Sequence, residues 1–510
     1  MGRGAYRPTA KRHACRPWLI VVIGLAGCRS HHSRIGTATS PSEALTHDQM
    51  LDARYCQACH PIHYAEWIES MHANASTDPV FIAMNSRGQR ETGGKLGKFC
   101  VNCHAPIAVR EGKTVDGLNL GSLPSAVQGI TCFFCHSVNS VLGPSDAALG
   151  LSSDQVLRAE YGDPFETSAH ASTYSPWQDP MQAESAGMCG SCHDVVVPQT
   201  GSPIEQTYYE WSHSVFSSAR GATCAACHMM PVATRTPIAQ VPGAPDRTRH
   251  AHTFPAVDVM LNHPAPLRGI EEQNINAALG RGTLQGALCV TSAPAIRVIL
   301  DAVGVGHGWP SGAAQDRRAW VEVIAYNGGR IVYQSGVVPD GAAVTSLRAD
   351  ADLWLLRECL FDERGKPVNM FWEAASTEAN TLPALATSDP RDPRFYQAHV
   401  VQRFPRDGSA LAQTPDRVSM RVRLQPIGTD VVDDLIASGD LDPSIKAAIP
   451  TFDVPLVVTN AATPLEWTSE TAASLTYPAD DGTTATCVAT TDFNVGATLT
   501  LASNHVHCAP

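Results

Sequence analysis

Beyond residue 27 the chain has no apolar run long enough to cross a bilayer, which excludes a helical membrane span there. Positive charge is scarce: 37 Lys and Arg stand against 49 Asp and Glu, for a formal net charge of −12. That balance argues against nucleic acid or anionic lipid as a partner and suits docking to a basic protein. No phosphate-binding glycine loop, hydrolase triad or carboxylate pair stands out, so hydrolytic and nucleotide-dependent chemistry lack a basis. Also missing is any Cys-x-x-Cys that lacks a His directly behind it.

Five such sequences are present: Cys56-Gln57-Ala58-Cys59-His60, Cys100-Val101-Asn102-Cys103-His104, Cys132-Phe133-Phe134-Cys135-His136, Cys189-Gly190-Ser191-Cys192-His193 and Cys224-Ala225-Ala226-Cys227-His228. The Cys-x-x-Cys-His pattern is the attachment sequence of c-type haem. Two thiols three residues apart reach the two vinyl groups of one haem, and the following imidazole binds its iron from below. Zinc sites also use Cys-x-x-Cys but do not require His at the next position. With 20 His in 510 residues, five chance placements would occur with probability on the order of 10⁻⁷. The expected cofactors are five covalent c-type haems.

Residues 1–27 read as a secretory leader. Arg3, Arg7, Lys11, Arg12 and Arg16 form a basic start, and Trp18 to Ala26 is a short apolar run. The run ends in Leu25-Ala26-Gly27-Cys28, which resembles the lipobox of bacterial lipoproteins and implies cleavage before Cys28 and a lipid on its thiol. Arg29 follows in place of an acidic retention residue, so the expected location is the outer membrane, facing the periplasm or the cell surface. Residues 28–45 read as a tether. An oxidising compartment should pair leftover thiols. Of 16 Cys, those outside the leader, the lipobox and the motifs are Cys289, Cys359, Cys487 and Cys508. The expected pairs are Cys487 with Cys508 and Cys289 with Cys359.

Residues 46–275 should form a helical, loop-rich domain in which the cofactors make much of the core. Each iron needs a second ligand. Tyr64, Trp67, Ile68, Met71 and His72 share one helical face. Ser168-Ala169-His170-Ala171 echoes Ser70-Met71-His72-Ala73. Tyr209-Glu210-Trp211-Ser212-His213 echoes the Glu-Trp part, with His213 two residues after its Trp where His72 is five after Trp67; Phe216 stands at the equivalent place. The run Glu66-Trp67-x-x-Ser70-x-His72-Ala73, Gly129-Ile130-Thr131 before the third motif, Cys192-His193-Asp194-Val195 and Cys227-His228-Met229 resemble multihaem cytochromes c related to hydroxylamine oxidoreductase and its tetrahaem electron acceptor. The resemblance spans roughly residues 50–260 and implies stacked haems with mostly bis-histidine iron. A departure is that no motif ends in Lys, as it does at the catalytic haem of ammonia-forming nitrite reductases. In Arg249-His250-Ala251-His252-Thr253-Phe254, His252 matches a His-x-Phe element that follows the last haem of such proteins. His250 is its neighbour and His263 a reserve.

From about 285 to 510 the pattern changes to period-two alternation, as in Val418, Met420, Val422 and Leu424. Trp320 to Tyr326, Asn327-Gly328-Gly329 and Arg330 to Gln334 read as a hairpin. A helical interruption is expected at 431–449, broken at Gly439 and restarting at Asp442-Pro443. The expected architecture is an all-β, sandwich-like domain, with its longest loop at about 372–415. Gly306-His307-Gly308-Trp309-Pro310-Ser311-Gly312 resembles a Gly-His-x-x-Pro-x-Gly loop of β-domains attached to multihaem cytochromes. That resemblance implies that His307 reaches across to ligate a haem.

The distal candidates are thus His72, His170, His213, His252 and His307, one per haem. Closed irons point to electron transfer between redox protein partners rather than catalysis. The alternative is a haem enzyme of the nitrite, hydroxylamine or sulfur-oxyanion type with one open iron. Redox proteins would serve as donor and acceptor, and copies could stack into an oligomer.

Overall fold

The computed structural model describes residues 44–161, 169–218 and 221–456 except 303, 340, 348, 390 and 393, then 464–470, 472, 476–478, 484–489 and 500–501. The leader, the lipobox Cys28 and the tether up to residue 43 lie outside the described residues, as does Cys508.

The first half is built from short helices because each attachment motif nucleates one. In the second, third and fifth motifs Cys at i and i+3 and His at i+4 lie within one helix and share its face, whereas in the first and fourth the helix ends before the second Cys, at Gln57 and Gly190. The motif helices are Ala53–Gln57, Phe99–His104, Cys132–Ser137, Ala183–Gly190 and Cys224–His228. Thr131 and Thr223 cap two of them, accepting from the amides of Phe134 and Ala226 at 3.2 and 3.0 Å. The helical face expected over 64–73 is real but broken. Pro61–Ile68 ends at Glu69, and Ser70 caps a second helix, Met71–Asn74. Apolar packing in this half gathers Met50, Leu51, Val101, Ile107, Phe133, Phe134 and Leu149.

The second half is β-rich. One sheet orders Thr476–Pro478, Thr484–Ala489, Gln285–Thr291, Ile296–Asp301, Val400–Phe404 and Thr500–Leu501. The other runs Pro367–Val368, Trp354–Phe361, Arg318–Asn327, Arg417–Gln425 and Phe452–Val454, with three further strands paired off this path. Leu288, Val298 and Leu300 of the first sheet and Val321, Val323, Met420 and Val422 of the second share one buried core. The hairpin turns through Gly328 and Gly329, both at positive φ. Helix Ala265–Leu279, which leads in, puts Ile275 and Leu279 into this β core.

Two expectations are corrected. Segment 372–415 is not one long loop: it holds the strands Ser376–Asn380 and Val400–Phe404 and the helix Arg394–Gln397. The disulfide pairing also differs. Cys289 bonds Cys487, because the two stand directly opposite on adjacent strands of the first sheet. Cys359 is disulfide-bonded separately. The ten motif cysteines carry no disulfide.

Candidate haem-binding site

The five motif imidazoles are all fixed from behind. Nδ1 of His60 meets the Ile238 carbonyl at 2.8 Å, that of His104 the Ala75 carbonyl at 3.1 Å, that of His136 the Arg158 carbonyl at 2.6 Å and that of His228 the Pro255 carbonyl at 2.9 Å. His193 instead meets a side chain, Oε1 of Glu205, at 3.2 Å. A hydrogen bond to the back nitrogen sets the tautomer and leaves Nε2 free for a metal. Burial drives the His193 pKa down, but the Glu205 carboxylate outweighs it and holds the group up at about 9.

Three of the expected distal histidines face motif histidines across a common gap. Ring centres are 6.4 Å apart for His60 and His170, for His72 and His193, and for His228 and His307. Two imidazoles bound to one metal through bonds of about 2 Å place their ring centres roughly 6 Å apart. His170 and His307 also offer Nδ1 to backbone carbonyls, of Ala171 at 3.3 Å and Gly308 at 2.8 Å.

His252 turns its Nδ1 to the His250 carbonyl at 2.9 Å. Burial lowers the pKa of His72 to about 3 and those of His252 and His307 to about 4. The rings are therefore neutral at pH 7, the state that binds metal. Their residual accessibility is to the cavity they line.

His213 does not join them. Its exposed ring lies over Tyr209 with centres 4.2 Å apart, and its Nδ1 meets the Tyr209 carbonyl at 2.8 Å. It stands at the C-cap of the short helix Thr207–Ser212, where the chain turns outward. The reserve residue His263 pairs with Glu271 instead, at 3.1 Å. Sequence reasoning passed over His63, one helical turn after His60. Its ring centre lies 4.9 Å from that of His252, and burial lowers its pKa to about 2. The signal was available in Cys-x-x-Cys-His-x-x-His, because i and i+3 share a helical face. The Glu-Trp echo marks Glu66 and Glu210 but not their partners, which are remote in the chain, and Glu205, twelve residues after His193, lies in no motif.

A cavity of about 1320 Å³ runs between these groups, lined by the motif cysteines and by His60, His72, His104, His136, His193 and His228. Protein interiors are close-packed with few voids larger than a water. A space of this size, walled by paired thiols and imidazoles, fits haem. Thiols of different motifs adjoin at Cys56 and Cys132, Cys103 and Cys192, and Cys189 and Cys224, so the attachment edges of neighbouring motifs face one another.

The cytochrome c554 and c-prime family matches residues 55–137, which holds the first three motifs. In the solved structures, the penta-heme cytochrome c552 from Thermochromatium tepidum superimposes with a TM-score of 0.54 at 18% identity, over 80% of this chain and 98% of that one. The fold is that of a multihaem cytochrome c. No curated protein matches the chain. The superposition reaches well past residue 137, so the likeness to a multihaem cytochrome takes in β-rich segments as well as the motif helices.

Proposed function

We propose that the chain is an electron-transfer protein that carries five covalent c-type haems, mostly closed by two histidines. Haem c, when bound, supplies a one-electron iron couple. Cys56, Cys59, Cys100, Cys103, Cys132, Cys135, Cys189, Cys192, Cys224 and Cys227 would hold the five haems, with His60, His104, His136, His193 and His228 as their first iron ligands. His170, His72 and His307 stand opposite His60, His193 and His228. The observation that carries the reading is the 6.4 Å spacing of these three imidazole pairs, each with a motif histidine hydrogen-bonded from behind. Two imidazole ligands would keep substrates off the metal and its potential low relative to His/Met cytochromes. The adjoining thiols of the first and third, second and fourth, and fourth and fifth motifs support transfer of electrons between those haems.

One observation favours a second reading, a haem-dependent oxidoreductase centred on His104. Among the described residues no imidazole stands across from His104 at the 6.4 Å of the three pairs, and with His213 turned away no expected distal histidine is left for it; Phe81 packs on the face of its ring, with centres 4.0 Å apart. Electron paramagnetic resonance of the oxidised protein separates the two. Electron transfer alone predicts that no haem turns over nitrite or hydroxylamine. A stoichiometric high-spin signal that shifts on adding either, with turnover, would replace it by the enzyme. His307→Ala should convert one haem of five to high spin, and an unchanged spectrum removes His307 from the ligand set.

Export and a lipid on Cys28 complete the proposal and rest on the leader and lipobox. They imply membrane anchoring outside the cytoplasm, with redox proteins as partners. Cys28→Ser should release the protein from the membrane fraction.

A further inference from the structure

The Glu-Trp echo in the sequence has a three-dimensional counterpart. Trp67 donates through Nε1 to the Ile130 carbonyl at 2.8 Å, and Trp211 to the Ala222 carbonyl at 2.8 Å. Ile130 and Ala222 each stand two residues before the first Cys of a motif, the third and the fifth. Their own amides donate to the carbonyls of His72 and Phe216 at 2.8 and 2.9 Å. Those two residues stand at the same place, five after each Trp. Ser70 and Ser214 bond back to the Trp67 and Trp211 carbonyls at 2.7 and 2.8 Å. Gly129 and Gly221 precede the two motifs with φ of +66 and +59. At Gly129 a Cβ would collide with the Ala73 carbonyl oxygen. Both motif helices then start at a capping Thr.

The carboxylates extend the match. Glu210 Oε2 accepts from the Gly308 amide at 3.0 Å and from Ser311 Oγ at 2.7 Å, so it grips the loop that carries His307. Glu66 Oε2 accepts from the His252 amide at 3.0 Å and from Arg249 Nη1 at 2.5 Å, so it grips the segment that carries His252. In the second unit the Trp holds the entry to the His228 motif while the Glu holds the strip bearing its opposite imidazole. The first unit holds the entry to the His136 motif and the strip bearing His252.

We propose that the two Glu-Trp units are copies of one clamp, each joining an attachment motif to the segment that carries the distal imidazole of the same haem. By this rule His252 serves the His136 haem as His307 serves the His228 haem, with Glu66 and Glu210 as positioning residues. The inference rests on the haem reading above and adds a pairing that ring spacing alone does not assign. It also separates His252 from its neighbour His63, which no clamp holds.

The test uses the full-length holoprotein, with covalent haem counted first by mass. Fewer than five haems in the wild type would count against the haem reading; the outcomes below bear on the clamp alone. A crystal structure of the holoprotein should show one iron bonded by both His136 and His252; an iron bonded by His136 and His63 overturns the clamp rule. His252→Ala should add one high-spin haem per chain to the paramagnetic resonance spectrum, and His63→Ala none. Glu66→Ala should move the same haem towards high spin, so that Glu66→Ala with His252→Ala still shows one altered haem, whereas His252→Ala with His307→Ala shows two. Glu66→Gln, whose amide oxygen still accepts the His252 N–H, should keep the wild-type spectrum. Two altered haems in the Glu66→Ala, His252→Ala double variant, or equal loss in Glu66→Ala and Glu66→Gln, sinks the positioning role.

Discussion

His193 differs from the other four motif histidines in what backs it: a carboxylate, Glu205 Oε1, where the others meet backbone carbonyls. A negative charge on Nδ1–H gives the ring imidazolate character, which stabilises the oxidised metal and lowers its potential. Glu205→Gln keeps an oxygen acceptor but removes the charge. One haem of five should then move to a more positive potential in a spectroelectrochemical titration while the others stay in place. Five unmoved potentials would show that Glu205 only orients the ring. At this scale what is legible in the sequence is local chemistry. Spacing of three and four residues makes an attachment motif recognisable without a fold. Local spacing misleads for the distal side, because the opposite imidazole arrives from another segment. His213, near its Trp in sequence, turns outward, while His63, beside a motif, was passed over though it lies against His252.

Elements were legible where one face sees apolar surroundings and the other water. Strand Arg417–Gln425 alternates as read, with Val418, Met420, Val422 and Leu424 buried. The hairpin at Gly328-Gly329 and the restart at Asp442-Pro443 follow from turn and cap chemistry. Strands Ser376–Asn380 and Val400–Phe404 were missed because one is polar and the other is buried on both faces, so neither alternates cleanly. Helix Thr429–Ala437 is pinned to the second sheet by an ion pair that sequence could not foretell. Arg318, with no exposed side-chain surface, holds Asp430 at 2.6 and 3.0 Å. Asp430→Ala would leave a buried guanidinium without its carboxylate and should cost about 3–5 kcal/mol in denaturant unfolding. Replacing both by Met and Leu should recover part of it. Burial alone would raise the Asp430 pKa, but Arg318 outweighs it and the group sits below the usual carboxylate value. A depressed folded pKa stabilises above the unfolded value, near 4, and that contribution is lost as pH falls through the folded one. The gap between wild type and variant should therefore be constant above about pH 5 and narrow below about pH 4. A gap that grows on acidification would contradict this assignment.

On the scale of the molecule, what matters is how the motif-bearing half and the β-rich half are held in register, since His307 belongs to one and His228 to the other. Arg90 with Asp440 and Arg87 with Asp434 cross between them, each pair with one partner largely buried and the other partly exposed. Arg317 is placed differently. It binds both oxygens of Asp258 at 2.8 and 2.9 Å, the Ser311 carbonyl at 2.8 Å and the Pro426 carbonyl at 3.1 Å. One guanidinium thus joins the segment after the last motif, the His307 loop and the end of a core strand, and its planar fork suits that role. Glu210 grips the same loop from the other side. Arg317→Ala should cost roughly 2–3 kcal/mol, below the 3–5 of a fully buried pair, because the Asp258 side chain keeps 40% of its exposure. The loop should also let go before the fold does. In Arg317→Ala, heating should convert one haem of five to high spin at a temperature below the circular dichroism midpoint, whereas in the wild type the two changes coincide. Coincident changes in the variant would mean that Arg317 supports the fold without governing His307. An early conversion would mean that the β-rich half supplies a metal ligand through a contact that can loosen on its own.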